Sequence, residues 1–265
     1  MKKWLRISLI ILFSAVFLVS AYMIYDYYVN SQKQAETFDQ LAQMVQQATP
    51  PAPAATQPDE PMETNADVPV PTEPQPLPEY AAVSQLNPDM IGWMAIEGTK
   101  INYPVMQTPD RIDYYLHTDF YGNYSSHGCL YAREQCDITL PSDNITIYGH
   151  NMNDGSMFAG LSKYRNKSFG DEHRYITFDT LTEHHTYEIF AVFRTTASKG
   201  EGFTYHQFVD AKNPEEFDTY ITDCQAISLY DTGITPVYGD KLITLSTCEY
   251  SQKNGRFVVV AKRIN

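Results

Sequence analysis

The chain has 265 residues and a formal net charge of −13 at pH 7. The charge is uneven: residues 1–30 carry three bases against one acid, residues 31–78 one base against seven acids, and residues 79–265 fifteen bases against twenty-four acids. An acidic folded region repels phosphate backbones, which argues against nucleic-acid binding, and four cysteines without a C-x-x-C pair fit neither a zinc site nor a disulfide scaffold.

From Ile7 to Tyr25 no residue is charged. The run ISLIILFSAVFLVSAYMIY is about long enough to cross ~30 Å of hydrocarbon as a helix. Lys2, Lys3 and Arg6 precede it and Asp26 follows. The positive-inside rule then puts the N-terminus in the cytoplasm and everything after Tyr28 outside. Tyr22, Tyr25, Tyr27 and Tyr28 suit the outer interface. The competing reading is a cleavable signal peptide, whose apolar core is usually only about 7–15 residues; Ala15-Val16-Phe17 and Ser20-Ala21-Tyr22 are poor cleavage sites. Residues 1–30 are therefore expected to be a cytoplasmic tip and a single-pass membrane anchor.

Residues 31–78 read as a short helix followed by a spacer. Phe38, Leu41, Met44 and Val45 give residues 33–48 an amphipathic pattern. Residues 49–78 hold ten of the sixteen prolines and no glycine, so they cannot bury a core and favour extended polyproline II.

Beyond residue 79 the texture is that of a folded domain, and all thirteen glycines lie past residue 90. Short runs rich in Val, Ile, Thr, Tyr and Phe predict strands at Met94–Ile96, Lys100–Met106, Gly128–Ala132, Asn144–Tyr148, Tyr175–Asp179, Tyr187–Arg194, Lys241–Thr247 and Arg256–Arg263. Their spacing suits a mainly β domain, a barrel or a sandwich. One helix is predicted at Ser156–Tyr164. Another follows Asn213-Pro214-Glu215-Glu216, a capping residue, a proline at the first helical position and two acids that suit the helix dipole. Its apolar face of Phe217, Tyr220, Ile221 and Cys224 makes Cys224 a core residue.

Chemistry concentrates at strand ends. Cys248 closes the apolar strand KLITLSTC, where rigid backbone can hold a reachable sulfur. Arg256 opens the next strand eight residues later, so pairing of the two strands would bring it back beside Cys248. A guanidinium is suited to an oxyanion and to favouring a thiolate. His150 ends another apolar strand at the sharp turn Gly149-His150-Asn151. His184 and His185 sit in a polar loop and are expected to be exposed, while His117, His127, His173 and His206 lack a comparable setting. An ordinary buried strand cysteine and a surface arginine remain compatible with spacing alone.

TLSTC at 244–248 with Arg256, and YGHNM at 148–152, resemble the catalytic signatures of sortases, the cysteine transpeptidases that attach surface proteins in Gram-positive bacteria. NPDMIGWMAIEGTKINYPVMQ at 87–107, YYLHTDFYG at 114–122 and the helix near 213–227 resemble class B in particular. The likeness covers about residues 79–265. It implies a closed β-barrel with peripheral helices, with Cys248 as nucleophile, His150 as acid/base and Arg256 as oxyanion stabiliser. Leu116, Ser246 and Glu249 match positions that line the class B peptide groove. No metal or organic cofactor is implied. The expected partners are surface proteins bearing a C-terminal LPxTG- or NPxTx-like sorting signal, and a peptidoglycan or lipid II amine as acceptor. Asp110-Arg111-Ile112-Asp113 departs from the Asp-Asn often found before Tyr-Tyr-Leu. An L,D-transpeptidase would place its cysteine in a Ser-x-Gly-Cys setting, unlike Ser246-Thr247-Cys248-Glu249, and a papain-like protease would have cysteine before histidine. A catalytically inactive adhesion or scaffold domain on a stalk is the reading from another class.

Overall fold

The computed structural model describes residues 3–49, 75–198 and 200–265. Most of the predicted proline-rich spacer lies outside these residues. The chain divides into two units, Met1–Gln40 and Leu41–Asn265.

The transmembrane segment and the short amphipathic helix predicted as separate pieces belong to one helix, α1 (Lys3–Ala48), whose residues up to Gln40 belong to the first unit. The intervening DYYVNSQ contains neither glycine nor proline, so nothing interrupts the backbone hydrogen bonds, and Asn30 Nδ2 donates to Asp26 Oδ2 one turn back at 3.1 Å. The uncharged stretch of α1 is long and apolar enough to cross a membrane, and its side chains are exposed. Leu41 of the predicted apolar face, in the second unit, is fully buried.

Within the second unit, α2 (Pro78–Ser84) has proline in its first turn. Strands β1 (Met90–Ala95), β2 (Asn102–Met106), β3 (Leu130–Ala132), β4 (Asn144–Tyr148), β5 (Tyr175–Thr180), β6 (Thr186–Thr196), β7 (Leu242–Glu249) and β8 (Gly255–Arg263) close into a barrel in the order β1-β2-β3-β4-β7-β8-β6-β5. Every predicted strand overlaps one of these, and the closed barrel decides against a sandwich. Two neighbour pairs are parallel, β2 with β3 and β4 with β7.

The helix predicted at Ser156–Tyr164 is a 3₁₀ segment, Phe158–Arg165. Its buried residues Phe158, Leu161 and Tyr164 recur every third position, the period of a 3₁₀ turn rather than of an α-helix. The short α3 (Lys167–Glu172) follows, with Asn166 Oδ1 accepting from Ser168 N–H at 2.9 Å. The α4 helix (Pro214–Ala226) starts as expected, Asn213 Oδ1 accepting from Glu216 N–H at 2.8 Å. Phe217, Tyr220, Ile221 and Cys224 are buried against a layer that includes Phe190, Phe193, Leu242, Val258 and Val260. Each such large apolar side chain contributes roughly 1.5–3 kcal/mol by leaving water. The α4 packing thereby fixes the outer face of β6–β8, the strands that carry the cysteine and the arginine.

Candidate active site

Strands β4 and β7 run parallel with Tyr148 opposite Ser246. Their C-terminal ends therefore reach the same rim of the barrel. Gly149 N–H donates to Ser246 O at 3.2 Å, the Thr247 hydroxyl to Gly149 O at 2.7 Å, and the Asn151 amide to Cys248 O at 3.0 Å. These bonds stitch the turn bearing His150 onto the strand bearing Cys248. A Cβ on Gly149 would lie 2.5 Å from Leu130 Cδ2 and 2.8 Å from the Phe158 ring, so only glycine lets the turn sit this close to the core.

The antiparallel pair β7–β8 places Cys248 directly opposite Arg256. Opposed residues project from the same face with Cβ atoms roughly 4.5–5.5 Å apart. The Arg256 guanidinium donates through Nη1 to Gly255 O at 3.0 Å and more weakly to Asn254 O at 3.4 Å. Cys248, His150 and Arg256 line one cleft of about 340 Å³. Thiol, imidazole and guanidinium, far apart in the chain, share one site.

His150 Nε2 lies 2.8 Å from Leu116 O. A carbonyl only accepts, so this bond assigns the proton to Nε2 and leaves the Nδ1 lone pair free to exchange protons. The carbonyl is in turn set by Gly128, whose φ is +57° and where a Cβ would lie 2.3 Å from Tyr115 O and 2.5 Å from Leu116 O. Burial lowers the His150 pKa below its ordinary value; the Leu116 bond opposes this, and His117 and His127 add to it. The His117 ring stacks on His150 at 5.5 Å between centroids. The folded protein thus favours neutral His150, and protonation destabilises it as pH falls below the unfolded value near 6.5. An NMR titration of the free protein is expected to give His150 a midpoint below 6.5; a midpoint above it would contradict this geometry.

The groove residues divide. Leu116 and Ser246 line the cleft, and the Ser246 hydroxyl is hydrogen-bonded to Tyr205 Oη at 2.7 Å. Glu249, expected in the groove, does not line it. Its carboxylate, 3% exposed as a residue, accepts from Arg165 at 2.7 Å and from the Ser251 hydroxyl at 2.6 Å and backbone N–H at 3.1 Å. The correction follows from strand alternation: with Cys248 facing the cleft, its neighbour turns away. Burial alone would raise the Glu249 carboxyl, but the Ser251 bonds and Arg165 override it and hold the pKa below the ordinary value. That stabilisation is complete above the unfolded pKa near 4.5 and disappears as pH falls through the lowered folded value. Glu249→Gln should cost about 1–2 kcal/mol in urea unfolding at pH 7, with the gap to wild type shrinking once the wild-type carboxyl protonates; a gap that grows in acid would refute this assignment.

Cys248 is half-buried, whereas Cys129, Cys136 and Cys224 are buried. Burial pushes Cys136 up to about 11 and Cys129 and Cys224 well above the ordinary thiol range. Iodoacetamide added to the native protein is expected to label Cys248 alone, since the thiolate is the reactive form. Labelling of Cys129 or Cys136 at a comparable rate would contradict the packing.

Several residues at the site were passed over in the sequence. His117 stacks on His150, while Tyr205, His206 and Arg133 line the cleft. His117, Tyr205 and His206 arrive on connections and Arg133 directly follows β3, and only the chain neighbour of Leu116, His117, carried a local hint. His184 is exposed as expected, but His185 is buried, with Nε2 3.1 Å from both Glu183 and Arg263. The divergent stretch before Tyr-Tyr-Leu contributes directly: Ile112 and Asp113 line the cleft, and Arg111 pairs with Asp89 at 2.7 Å.

A family profile of the sortase domain matches residues 94–264. The chain is 34% identical over 190 residues to sortase B of Listeria monocytogenes, covering 70% of this chain and 74% of that one. It belongs to the sortase family, class B. Sortase B of Staphylococcus aureus is 30% identical over 189 residues, covering 71% and 75% of the two chains. A sortase B crystal structure from Bacillus anthracis superposes with TM-score 0.72 at 29% identity, over 88% of this chain and 97% of that one. A Staphylococcus aureus sortase B–substrate complex shares the fold at TM-score 0.73 and 24% identity. As a sortase, this protein is a cysteine transpeptidase that anchors proteins to the cell wall. Membership decides against the L,D-transpeptidase reading.

Proposed function

We propose that this sortase cleaves an LPxTG- or NPxTx-like C-terminal sorting signal after its threonine and joins the upstream protein to a peptidoglycan or lipid II amine. Cys248 Sγ passes its proton to His150 Nδ1 and attacks the threonine carbonyl carbon. The carbonyl oxygen becomes an oxyanion beside Arg256, where a fixed, permanently charged donor stabilises it most as the charge develops. The C–N bond breaks, His150 returns the proton to the leaving amine, and a thioester remains on Cys248. The acceptor amine attacks the thioester and gives a proton to His150, the C–S bond breaks, and the departing Cys248 thiolate takes that proton back from His150.

The observation that carries this reading is the register pairing of Cys248 with Arg256 on the rim that β4 also reaches. Residues 1–30 would anchor the enzyme with the N-terminus in the cytoplasm, residues 31–78 would hold it off the bilayer, and residues 79–265 would act outside the cell membrane. The test is a panel of sorting-signal peptides incubated with the full chain, with and without an amine acceptor. Cleavage after threonine, with product partitioning from acid to amide as amine is added, is expected. Cleavage elsewhere, or amine-independent products, would overturn the proposal.

A further inference from the structure

The catalytic cleft contains a second guanidinium for which the acyl transfer has no use. Arg133, just past β3, lines the same cleft as Cys248 and Arg256. Its Nε donates to Gln135 Oε1, but its Nη1 is buried and has no hydrogen-bond acceptor among the described residues. Neither Arg133 nor Arg256 has a carboxylate within ion-pair distance among the described residues. Two acids do line the cleft, yet each is engaged elsewhere: Asp113 accepts from the Tyr131 hydroxyl at 2.8 Å and Glu134 from Gln135 Nε2 at 2.8 Å. His206 lies in the same wall, held toward its neutral form by burial and then by the fields of Arg133 and Arg256. Both guanidinium fields thus reach the same wall, where a buried N–H has no acceptor, a situation that folded proteins rarely leave unresolved.

We propose that Arg133 is a specificity residue that reads a carboxylate on the substrate, accepting it beside His206 while the scissile carbonyl lies at Cys248. A carboxylate suits the site because the Arg133 guanidinium lines the cleft with no ion-pair partner among the described residues, so an anion there gains a charge-assisted hydrogen bond. The carboxylate comes either from an acidic side chain of the sorting peptide or from the acceptor beside its amine. This inference rests on the acyl-transfer reading only for which molecule enters the cleft.

The test begins with the full chain carrying Cys248→Ala, which binds without turnover. It is titrated with fluorescent sorting peptides bearing aspartate or asparagine at each variable position. Expected is a roughly tenfold tighter binding of aspartate at one position. Arg133→Gln in that background should bring the ratio to about one, and Arg133→Lys should keep part of it. If donors show no preference, the cysteine-containing enzyme is assayed with amine acceptors carrying a free carboxylate or its amide. A roughly tenfold lower KM for the acid, erased by Arg133→Gln, supports the proposal with the acceptor as source. Arg133→Met keeps the apolar stem and replaces Arg133→Gln should the latter fail to fold. Acid and amide ligands behaving alike in both series, or a preference that survives loss of the guanidinium, would overturn it. An enzyme that binds with the acid preference but turns over no peptide would sink the acyl-transfer reading and leave this one standing.

Discussion

Cys248→Ala is expected to bring both hydrolysis and amine transfer to background, a loss on the order of 10⁴ or more. In the proposed mechanism the substitution removes the atom that forms the acyl bond, so neither binding nor oxyanion stabilisation can compensate. The fold should be unaffected, because the contacts that place residue 248 run through its backbone: the register pairing with Arg256 and the bond from Asn151 to its carbonyl oxygen. Unchanged thermal unfolding alongside lost turnover is therefore the expected pair of results. Residual activity above a few per cent would show that another group attacks the substrate. Cys129, Cys136 and Cys224 are poor substitutes, each buried and with its thiolate disfavoured.

Arg256→Ala is expected to lower kcat by about 10²–10³, the loss typical of removing one oxyanion donor, or about 2.7–4 kcal/mol of transition-state stabilisation. The effect belongs mainly in kcat, since the oxyanion is fully charged only as the tetrahedral intermediate forms. Arg256→Lys restores the charge but not the planar fork, and should recover only part of the rate. Stability should change little, because the guanidinium is partly exposed and, among the described residues, bonds only to the carbonyls of Asn254 and Gly255. A variant that loses affinity for donor peptide while keeping kcat would assign Arg256 to binding rather than to the oxyanion.

The strands were legible because β-branched and aromatic runs separated by turn residues are a local signal. The pairing of Cys248 with Arg256 was nearly as accessible, since adjacent strands joined by a short connection usually pair. The location of His150 was harder. It depends on the parallel pairing of β4 with β7, whose paired residues lie 98 positions apart (Tyr148 with Ser246) and which no local pattern specifies. Glu249 was misplaced because a resemblance assigns positions, whereas the facing of a side chain follows strand alternation. His185 was misjudged for a tertiary reason: its partner Arg263 comes from the far end of the chain. Arg133, Tyr205 and His206 gave no signal because the cleft that joins them is assembled only by the folded barrel. The continuity of α1 was the reverse case, visible in the absence of any breaker between residues 26 and 32 but not read that way.

Intact-mass spectrometry of the enzyme mixed with a sorting-signal peptide, quenched early, addresses the shared cleft most directly. The expected adduct has the mass of the peptide through its threonine, maps to Cys248, and is released by hydroxylamine or an acceptor amine, as a thioester would be. Peptide cleaved at the same rate with no adduct on Cys248, or with the adduct on another residue, would contradict the account.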